Sequence, residues 1–437
     1  MKHKVSKNKS DVSRRDFIRA SAAVSLAAMT FDSSRVFAAG SDKLRVGLIG
    51  CGGRGTGAAM DCVKSSPNVE IVAMGDLFRD SLDKSLARLS RRVDDKVTVT
   101  DDTSFSGFDC YQKVLQCDID MVIMAAPPHF RPVQLKAAIE AGKHVFMEKP
   151  VAVDPVGVRS VIESSELAQQ KGLAIVAGTQ RRHQDHYLEV MKRIHDGDIG
   201  EIVSGQCYWN GGFLWVQRAT ENWKQRHALG WSDMEWQCHN WLFFTWLSGD
   251  HIVEQHVHNI DVINWAIGSH PVQCLGMGGR QVRTGPEYGN IFDHFAVEYE
   301  YPNGVRVLSM CRQIEGCDHR VSERVVGTNG SAYMDGSHGS IEGPNAYKYD
   351  GKSPNPYVQE HTDLIASIRE GRPLNEGRRI AESTLAAIMG RMSAYTGRAL
   401  KWDWAMNASE LDLTPPSYEF GDLPVAPVAV PGKTQLV

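Results

Sequence analysis

The segment "VEQHVHNIDVINW", from Val253 to Trp265, carries four side chains that can exchange protons or bind a metal ion. In a helix, Glu254, His258 and Asp261 are spaced by four and three residues, so they share one face. His256 lies on another face, because residues two apart on a helix point about 200° apart. The pattern predicts a helix that packs an apolar side inward and turns an imidazole and carboxylates toward a cavity.

Three interpretations of this segment are open. The histidines can be structural groups of the core, or His258 and Glu254 can bind a metal ion from one helical face. The third interpretation is proton transfer, for which imidazole is the side chain used most often. We favour proton transfer and expect no metal site, since His256 and His258 cannot readily share an ion.

The stretch "LRVGLIGCGGRGTG" predicts a partner for this chemistry. An apolar strand, Leu44 to Ile49, is followed by Gly50, Gly52 and Gly55 in G-x-G-x-x-G spacing and by a helix. Such glycines allow a tight turn, let a pyrophosphate touch the backbone and let the helix pack on the strand, while the helix N-terminus faces the anion. The loop is therefore predicted to bind a dinucleotide through Gly50, Gly52, Gly53, Arg54 and Gly55.

A carboxylate at the end of the next apolar segment bears on the choice of dinucleotide. The segment "VEIVAMGD" ends in Asp76, 26 residues after Gly50. An acid at this place binds the ribose hydroxyls and repels a 2′-phosphate. This favours NAD, and NADP remains the alternative because Arg79 lies close to Asp76 in the sequence.

A lysine is the second candidate proton carrier. Lys149 follows "KHVFM" and Glu148 and precedes Pro150, so it is expected at the carboxyl end of a strand. Beside a cationic nicotinamide its ammonium form would be disfavoured, which suits it to hold or relay a proton. The alternative is a surface lysine before a turn-forming proline. Glu148 is expected to pair with a nearby cation.

Strands and helices must position these groups. The segments "IDMVIMAAPP", "KHVFMEKP" and "LAIVAG" alternate with helical stretches from Arg131 and from about Pro155, which indicates an α/β protein with a doubly wound parallel sheet. Ligands bind at the carboxyl ends of such strands. The loop with Pro127 and His129 and the pair Glu148-Lys149 lie at such ends and complete the predicted cofactor site.

The second half of the chain changes character. Segments such as "EIVSGQCYW" and "HFAVEYEYPNGVRVLSMCRQ" predict strands, with a hairpin turn at Asn303-Gly304. Late helices are expected over about 358–370 and 380–396, and a Pro-rich extended tail over 406–437. The span 208–246 is rich in tryptophan, which either stacks on sugar rings or fills the core. Trp241 and Trp246 are assigned to the core.

Bulk properties exclude several functional classes. The formal charge of −4 argues against a nucleic acid or a membrane surface as the main partner. No apolar run after residue 40 is long enough to span a bilayer. The nine cysteines contain no C-x-x-C pair and are expected to be mostly buried thiols without a disulfide framework.

The first 38 residues have a different composition. They begin with a Lys/Arg-rich stretch, contain Arg14-Arg15 within "SRRDFIR", and continue into a short apolar segment that ends near Ala38. This resembles the twin-arginine export signal and predicts a signal peptide over 1–38 and a periplasmic or otherwise exported protein. A basic tail followed by an ordinary helix is the alternative.

The motifs together resemble one enzyme family. The glycine loop, the A-x-P-x-x-x-H-type loop at Ala126 and the E-K-P triplet are similar to those of the Gfo/Idh/MocA oxidoreductases, over about residues 43–405. The resemblance implies a Rossmann domain, expected over 43–178, and an α/β domain with a large open, mostly antiparallel sheet, expected over 179–405. In the family that sheet often forms the subunit interface, so a homo-oligomer, dimer or tetramer, is expected.

The resemblance also assigns roles to residues. The family's helix carries D-x-G-x-H-x-x-D, so His258 matches its catalytic histidine, while Glu254 replaces the usual Asp and His256 a frequent Gly. We expect Lys149, His258 and Glu254 to be catalytic. The stretch "GTQRRHQDHY" follows a Rossmann strand, and with the helix it supplies the expected substrate-binding residues, which are Arg181, Tyr187, His256 and Asp261.

Export constrains the function, since free NAD is not expected outside the cytoplasm. We therefore expect an exported NAD(P)-dependent oxidoreductase that acts on a hydroxyl of a carbohydrate, a sugar or glycoside, with a tightly bound cofactor that it regenerates itself. One alternative is an NAD-dependent glycoside hydrolase of this fold, which uses transient oxidation and elimination. Another is a non-catalytic, cofactor-loaded sugar-binding protein.

Overall fold

The apolar segments of the first half form six parallel strands. These are β1 Leu44–Ile49, β2 Val69–Asp76, β3 Ser104–Ser106, β4 Met121–Met124, β5 His144–Met147 and β6 Ile175–Ala177. In the computed structural model, which describes residues 43–437, their order is β3-β2-β1-β4-β5-β6. The predicted doubly wound parallel sheet is confirmed, although the short β3 was not predicted because its two serines leave no apolar run.

Helices cover both faces of this sheet, which explains the unbroken apolar runs of its central strands. They are α1 Gly53–Ser65, α2 Arg79–Val93, α3 Cys110–Gln116, α4 Arg131–Glu140 and α5 Pro155–Lys171. Local sequence sets the ends of α5. The Asp154 carboxylate accepts a hydrogen bond from the N–H of Gly157 at 2.7 Å, and Gly172 ends the helix in the left-handed conformation.

A second sheet of nine strands occupies the other half. Its strands are β7 Ile202–Gly211, β8 Gln273–Gly279, β9 His294–Glu300, β10 Arg306–Gln313, β11 Arg320–Gly327, β12 Ser331–Asp335, β13 Gly339–Glu342, β14 Tyr347–Lys348 and β15 Leu400–Lys401. Their order is β14-β13-β12-β11-β7-β10-β9-β8-β15, and only β7 and β10 pair in parallel among them. Asn303 and Gly304 form the predicted turn between β9 and β10, with φ of 66° and 77°.

The helices of this half are α6 Asp185–His195, α7 Val216–Gln225, α8 Asp233–His239, α9 Thr245–Ser248, α10 His251–Glu254, α11 Val257–Ile267, α12 Pro356–Arg369, α13 Gly377–Thr396 and α14 Trp402–Asn407. The two late helices, α12 and α13, are confirmed. Helix α12 falls within the range expected for the second domain, yet its buried Leu364, Ile365 and Ile368 join the core of the Rossmann sheet.

The continuous helix predicted around His258 is wrong. Helix α10 ends at Glu254 and α11 begins at Val257, with a turn between them. Asp250 caps α10, since its carboxylate accepts a hydrogen bond from the N–H of His251 at 2.6 Å. Glu254 and His258 therefore do not share the face of one regular helix, and their relative placement depends on this break.

The tail after α14 contains no helix or strand. It contacts both the Rossmann domain and the half of the chain that contains the second sheet. The Asp154 carboxylate accepts a hydrogen bond from the N–H of Leu413 at 2.9 Å, and the Gln237 amide donates to the carbonyl of Leu423 at 2.6 Å. The predicted extended tail thus connects the Rossmann domain to helix α8 of the other half.

Residues 1–38, where a signal peptide is predicted, lie outside the described residues. Between residues 43 and 437, no helix has the length and hydropathy to cross a membrane. The same range contains all nine cysteines, forms no disulfide and buries seven of the thiols, as expected of small apolar side chains.

Candidate active site

The glycine loop between β1 and α1 leaves room for a phosphate group. Gly50 has a φ of +92°, and a Cβ there would lie 2.3 Å from the backbone nitrogen of Ala126. A Cβ on Gly55 would lie 1.8 Å from the carbonyl oxygen of Gly50. Both glycines are required by packing, whereas Gly52 and Gly53 face open space at the start of α1. This cradle fits the pyrophosphate of a dinucleotide.

A cavity of about 250 Å³ extends from the cradle along the carboxyl ends of β1, β2 and β4. Seven of the residues predicted to bind the cofactor line it: Gly50, Gly52, Gly53, Arg54, Gly55, Asp76 and Pro127. The second half of the chain also contributes to the lining, through residues that include Trp215, Arg218 and His239.

Asp76 ends β2 within this cavity. Its two carboxylate oxygens accept hydrogen bonds from the N–H groups of Cys51 at 2.6 Å and Phe78 at 2.8 Å. Burial raises the pKa of Asp76 above its ordinary value, and these N–H donors oppose the rise. Arg79 does not line the cavity and instead donates to Asp83 at 2.9 Å, so it leaves the preference for NAD intact.

A second cavity of about 280 Å³ adjoins the first and brings together Lys149, Glu254 and His258. Arg54, Ala125, Ala126, Trp215 and Trp241 line both cavities, so the two spaces meet at the place where the nicotinamide end of a dinucleotide would lie. The three residues expected to be catalytic, from the loop after β5 and from both sides of the break between α10 and α11, therefore face one space.

Lys149 is fixed by the residue that ends α10. Its Nζ donates to the backbone carbonyl of Glu254 at 2.6 Å and lies 3.1 Å from the Glu254 carboxylate. Both side chains are largely buried, with 13% and 14% exposed. The ion pair joins the end of a Rossmann strand to the second domain and sets where the ammonium points.

His258 is held as a neutral imidazole. Burial first, and then the positive charges of Lys149, Arg181 and Arg54, bring the pKa of His258 well below its ordinary value of 6.5. Its ring stacks on Trp209 with centroids 5.9 Å apart, and Nδ1 has no hydrogen-bond partner among residues 43–437. A neutral imidazole that borders a cavity can accept a proton from a ligand.

Arg54 ties the glycine loop to two buried carboxylates. Its guanidinium donates to Glu148 and, at 3.0 Å, to Glu360 of α12. Burial lowers the pKa of Arg54, but the two acids outweigh it and the net pKa is raised. Glu148, expected to pair with a cation, does so here and lines the second cavity next to Lys149.

Two residues expected to bind substrate, Arg181 and Tyr187, lie in the core. The Arg181 guanidinium donates to the Glu323 carboxylate at 2.6 Å, and the Tyr187 hydroxyl donates to the same carboxylate at 2.9 Å. Neither side chain lines either cavity. An arginine buried with one carboxylate is typical of a structural ion pair, so the structure does not bring these two residues to the cavities.

His256 and Asp261 are likewise buried away from the cavities. The Nε2 of His256 lies 2.7 Å from the Ser309 hydroxyl, and burial lowers the pKa of His256 to about 3. Asp261 accepts two hydrogen bonds from the Arg182 guanidinium, at 2.7 and 2.9 Å. These contacts hold α11 in place, and neither side chain, predicted to bind substrate, lines one of the two cavities.

His129, predicted to bind the cofactor, does not line the cofactor cavity. Its Nε2 lies 2.9 Å from the hydroxyl of Tyr418 in the tail, and burial lowers the pKa of His129 to about 4. The buried Arg131, two residues later, lines the second cavity and donates to the carbonyls of Glu148 and Ala126, at 3.0 and 2.7 Å.

Sequence reasoning missed part of the wall of the second cavity. Aromatic and amide side chains complete the lining: Trp209, Trp215, Trp241, Tyr357, Gln180 and Gln255. The tryptophan-rich span predicts three of them, and Trp241, assigned to the core, both packs against a core cluster and lines the cavity. Trp223 and Trp236 do pack in a core cluster, so the span serves both purposes.

Comparisons with known proteins agree with this geometry. Residues 44–179 match the model of an oxidoreductase family with an NAD-binding Rossmann fold, and residues 187–333 match the GFO/IDH/MocA C-terminal domain. Together the two ranges cover well over half of the chain.

Curated relatives include sugar and cyclitol enzymes. A 2,7-anhydro-N-acetylneuraminate hydratase of Escherichia coli (strain K12) is 28% identical over 50% of this chain, and the match spans about half, 52%, of that hydratase. A scyllo-inositol 2-dehydrogenase (NAD(+)) of Bacillus subtilis (strain 168) is 22% identical over 67% of this chain and 74% of its own.

A solved structure, that of an aldose-aldose oxidoreductase from Caulobacter crescentus complexed with glycerol, has the same fold. Its TM-score is 0.63 at 17% identity, and the match covers 82% of this chain and 99% of the other.

Proposed function

The chain belongs to the Gfo/Idh/MocA oxidoreductase family, and on this premise we propose that it oxidises a hydroxyl of a sugar or glycoside, with NAD as the hydride acceptor. One observation carries the proposal. Lys149 and His258, far apart in sequence, line a single cavity that adjoins the cofactor cavity.

The lining of the second cavity favours a carbohydrate. Trp209, Trp215, Trp241 and Tyr357 offer flat apolar surfaces, and amides and ionised groups stand between them. A sugar ring has apolar C–H faces and a polar rim of hydroxyls, which this arrangement matches. The named relatives act on sugar or cyclitol compounds, which supports the same substrate class.

His258 is the proposed general base. Its neutral imidazole takes the hydroxyl proton while the hydrogen on the same carbon leaves as hydride, so a carbonyl forms and two electrons are transferred. When bound, NAD supplies the acceptor for that hydride. Lys149, held by Glu254, binds the hydroxyl oxygen and exchanges protons with it. With reduced cofactor bound, a second carbonyl compound would accept the hydride, and His258 would donate its proton to the oxygen of that compound.

A second candidate, transient oxidation followed by elimination and water addition, also has support. The hydratase relative catalyses an addition of water according to its name, and the oxidation step above would acidify the hydrogen next to the new carbonyl. In this version the same hydride returns to the substrate, and the glycosidic bond is cleaved without a second carbonyl compound.

An assay of the protein as purified, with its bound nucleotide, distinguishes these functions. Glycosides and free sugars are added singly, and the absorbance of reduced nicotinamide and the product masses are followed. Reduction without cleavage supports the oxidoreductase, and cleavage supports the elimination route. Binding of a sugar with neither signal would contradict both and favour a non-catalytic binding protein.

We also propose export through the twin-arginine route with the cofactor already bound. The Arg14-Arg15 motif supports it. Replacing both arginines by lysine should keep the protein in the cytoplasmic fraction, whereas Lys9→Arg, outside the motif, should not. Equal export of both variants would contradict the proposal.

A homo-oligomer through the second sheet is proposed as well. One face of this sheet exposes apolar side chains, among them Leu275, Met277 and Leu308, which are 54%, 75% and 41% exposed. Exposed apolar residues that cluster on one face mark an interaction site. Light scattering should show a dimer or tetramer that Met277→Lys dissociates; a monomeric wild-type protein would contradict this.

A further inference from the structure

The cofactor cavity has a second wall that the Rossmann domain does not supply. Besides the glycine loop, the cavity is lined by Trp215 and Arg218 at the start of α7 and by Cys238 and His239 at the end of α8. Trp215 adopts a left-handed backbone conformation with φ of 58°, which is uncommon for a bulky residue. Such conformations persist where function or packing requires them.

Two guanidinium groups line this cavity, and only one has carboxylate partners. Arg54 is ion-paired with Glu148 and Glu360. Arg218 forms no ion pair or hydrogen bond among residues 43–437, and its guanidinium lies 5.6 Å from the Trp215 ring. The acid whose charge acts on Arg218 is Asp80, and that carboxylate is itself bound by Lys84 at 2.7 Å.

The glycine cradle offers N–H groups and a helix N-terminus to an anion. The positive charge of Arg54 at the cradle is already neutralised by its carboxylate partners. A dinucleotide brings two negatively charged phosphates into this space. An arginine suits such a ligand, because its planar guanidinium can bind phosphate oxygens through two parallel hydrogen bonds. We propose that Arg218 binds the pyrophosphate of the cofactor from the second domain and so closes the site over it.

The C-terminal tail holds this wall in place. We call residues 418–423 the strap. The Phe420 ring of the strap stacks on Phe78 at 5.9 Å and meets Phe108 edge-on at 5.3 Å. Phe78 and Phe108 both line the cavity, and Phe78 stacks on His239 at 3.8 Å. The strap therefore contacts two of the aromatic residues that line the cofactor cavity.

The strap also binds the backbone and side chains of α8. The N–H of Met234 donates to the carbonyl of Gly421 at 3.1 Å, and the Gln237 amide donates to that of Leu423 at 2.6 Å. Loss of the strap contacts should therefore loosen α8 and, with it, the wall that carries Arg218. This inference rests on the proposed function only in taking NAD as the ligand, since it concerns binding and not turnover.

Binding of nucleotide fragments to protein stripped of nucleotide tests the role of Arg218. ADP contains the pyrophosphate and adenosine lacks it, so calorimetric Kd values for both separate a phosphate contact from a general loss of structure. We expect Arg218→Gln to weaken the binding of ADP by about tenfold or more and to leave the Kd of adenosine unchanged. Arg218→Lys, which keeps the charge, should lie between. Lys224→Gln removes a charge from the same helix outside the cavity and is the matched control.

Exchange of bound NAD against isotope-labelled NAD, followed by mass spectrometry, tests the strap. Phe420→Ala should accelerate exchange by about tenfold, because it removes the ring that contacts Phe78 and Phe108, whereas Val425→Ala, at a similarly exposed neighbour, should not. Equal ADP affinity in Arg218→Gln and Lys224→Gln would overturn the inference. If these variants behave as expected but no sugar reduces the cofactor, the inference stands and the proposed oxidoreductase function fails.

Discussion

The ammonium of Lys149 lies 2.6 Å from the backbone carbonyl of Glu254 and 3.1 Å from its carboxylate. This contact joins the end of β5 in the Rossmann domain to the end of α10 in the second domain. The turn that follows α10 then brings His258 into the same cavity. The proposed catalytic pair, Lys149 and His258, is thus assembled across the two domains, and its geometry depends on one ion pair and one helix break.

The Glu254→Gln variant tests the carboxylate part of this contact independently of the backbone carbonyl part. The variant keeps the backbone carbonyl that binds Lys149 but removes the carboxylate charge. Because a hydrogen bond to a charged group contributes about 1.5–3 kcal/mol, we expect cofactor reduction to slow by about tenfold with nucleotide content unchanged. Stopped-flow absorbance of reduced nicotinamide measures this. Glu254→Asp is the control and should retain most of the rate; equal rates in wild type and Glu254→Gln would contradict the role.

The pH dependence of cofactor reduction should show no titration of an ordinary histidine. Burial and neighbouring cations hold the pKa of His258 well below 6.5, so its imidazole stays neutral and able to accept a proton as the pH falls through that value. The single-turnover rate is expected to stay constant there and to fall only at more acidic pH. A rate that halves near pH 6.5 would show that His258 titrates normally or is not the base.

Asp76→Ala should change the preference between dinucleotides. The variant removes the carboxylate that would meet the ribose hydroxyls, so NAD should bind more weakly while NADP, no longer repelled, is affected less. Kd values for both nucleotides, measured on stripped protein, give the ratio. The matched control is Asp83→Ala, since Asp83 lies outside the cavity and binds Arg79. An unchanged ratio would mean that Asp76 does not face the ribose.

The folded protein should lose stability at alkaline pH, because His183 is charged in the folded state and loses its proton there. His183 lies 2.5 Å from Asp363 and 3.6 Å from Glu376. Burial lowers the pKa of His183, but the two acids outweigh this and raise it to about 9. Its contribution to stability is therefore complete below the ordinary value of 6.5 and lost as the pH rises through about 9.

His183→Gln tests that assignment. The variant should unfold at lower temperature than wild type at neutral pH, and the difference should shrink as the pH approaches 9. Differential scanning calorimetry across this range measures both proteins under the same conditions. A difference in Tm that does not change with pH would show that His183 is not charged in the folded protein.

Much of the fold could be predicted from local patterns. The strands of the Rossmann domain are short apolar runs with both faces covered. The spacing of the glycines between β1 and α1 is enough to predict a dinucleotide-binding loop. Lys149 could be placed because a strand end has a fixed position in a parallel sheet. These features depend on residues that are neighbours in sequence.

The residues that the structure does not bring to the cavities are held by contacts that are distant in sequence. Arg181 follows a strand and is predicted in the cleft, yet it is bound in the core by Glu323 on β11. Asp261 is predicted to bind substrate, yet its carboxylate is bound by Arg182. A single sequence does not reveal these partners, and the break between α10 and α11 leaves no glycine or proline to mark it.

A double-mutant cycle on Lys149 and His258 tests the central claim most directly. The rate of bound-cofactor reduction by substrate is measured in a single turnover for wild type, Lys149→Met, His258→Gln and the double variant, each with its nucleotide content determined. Residues that act on one proton are not additive, so the double variant should be hardly slower than the slower single variant. If the rate in the double variant falls by the product of the two single-variant factors, or if His258→Gln has a normal rate, the claim that the two residues meet at one reacting carbon is contradicted.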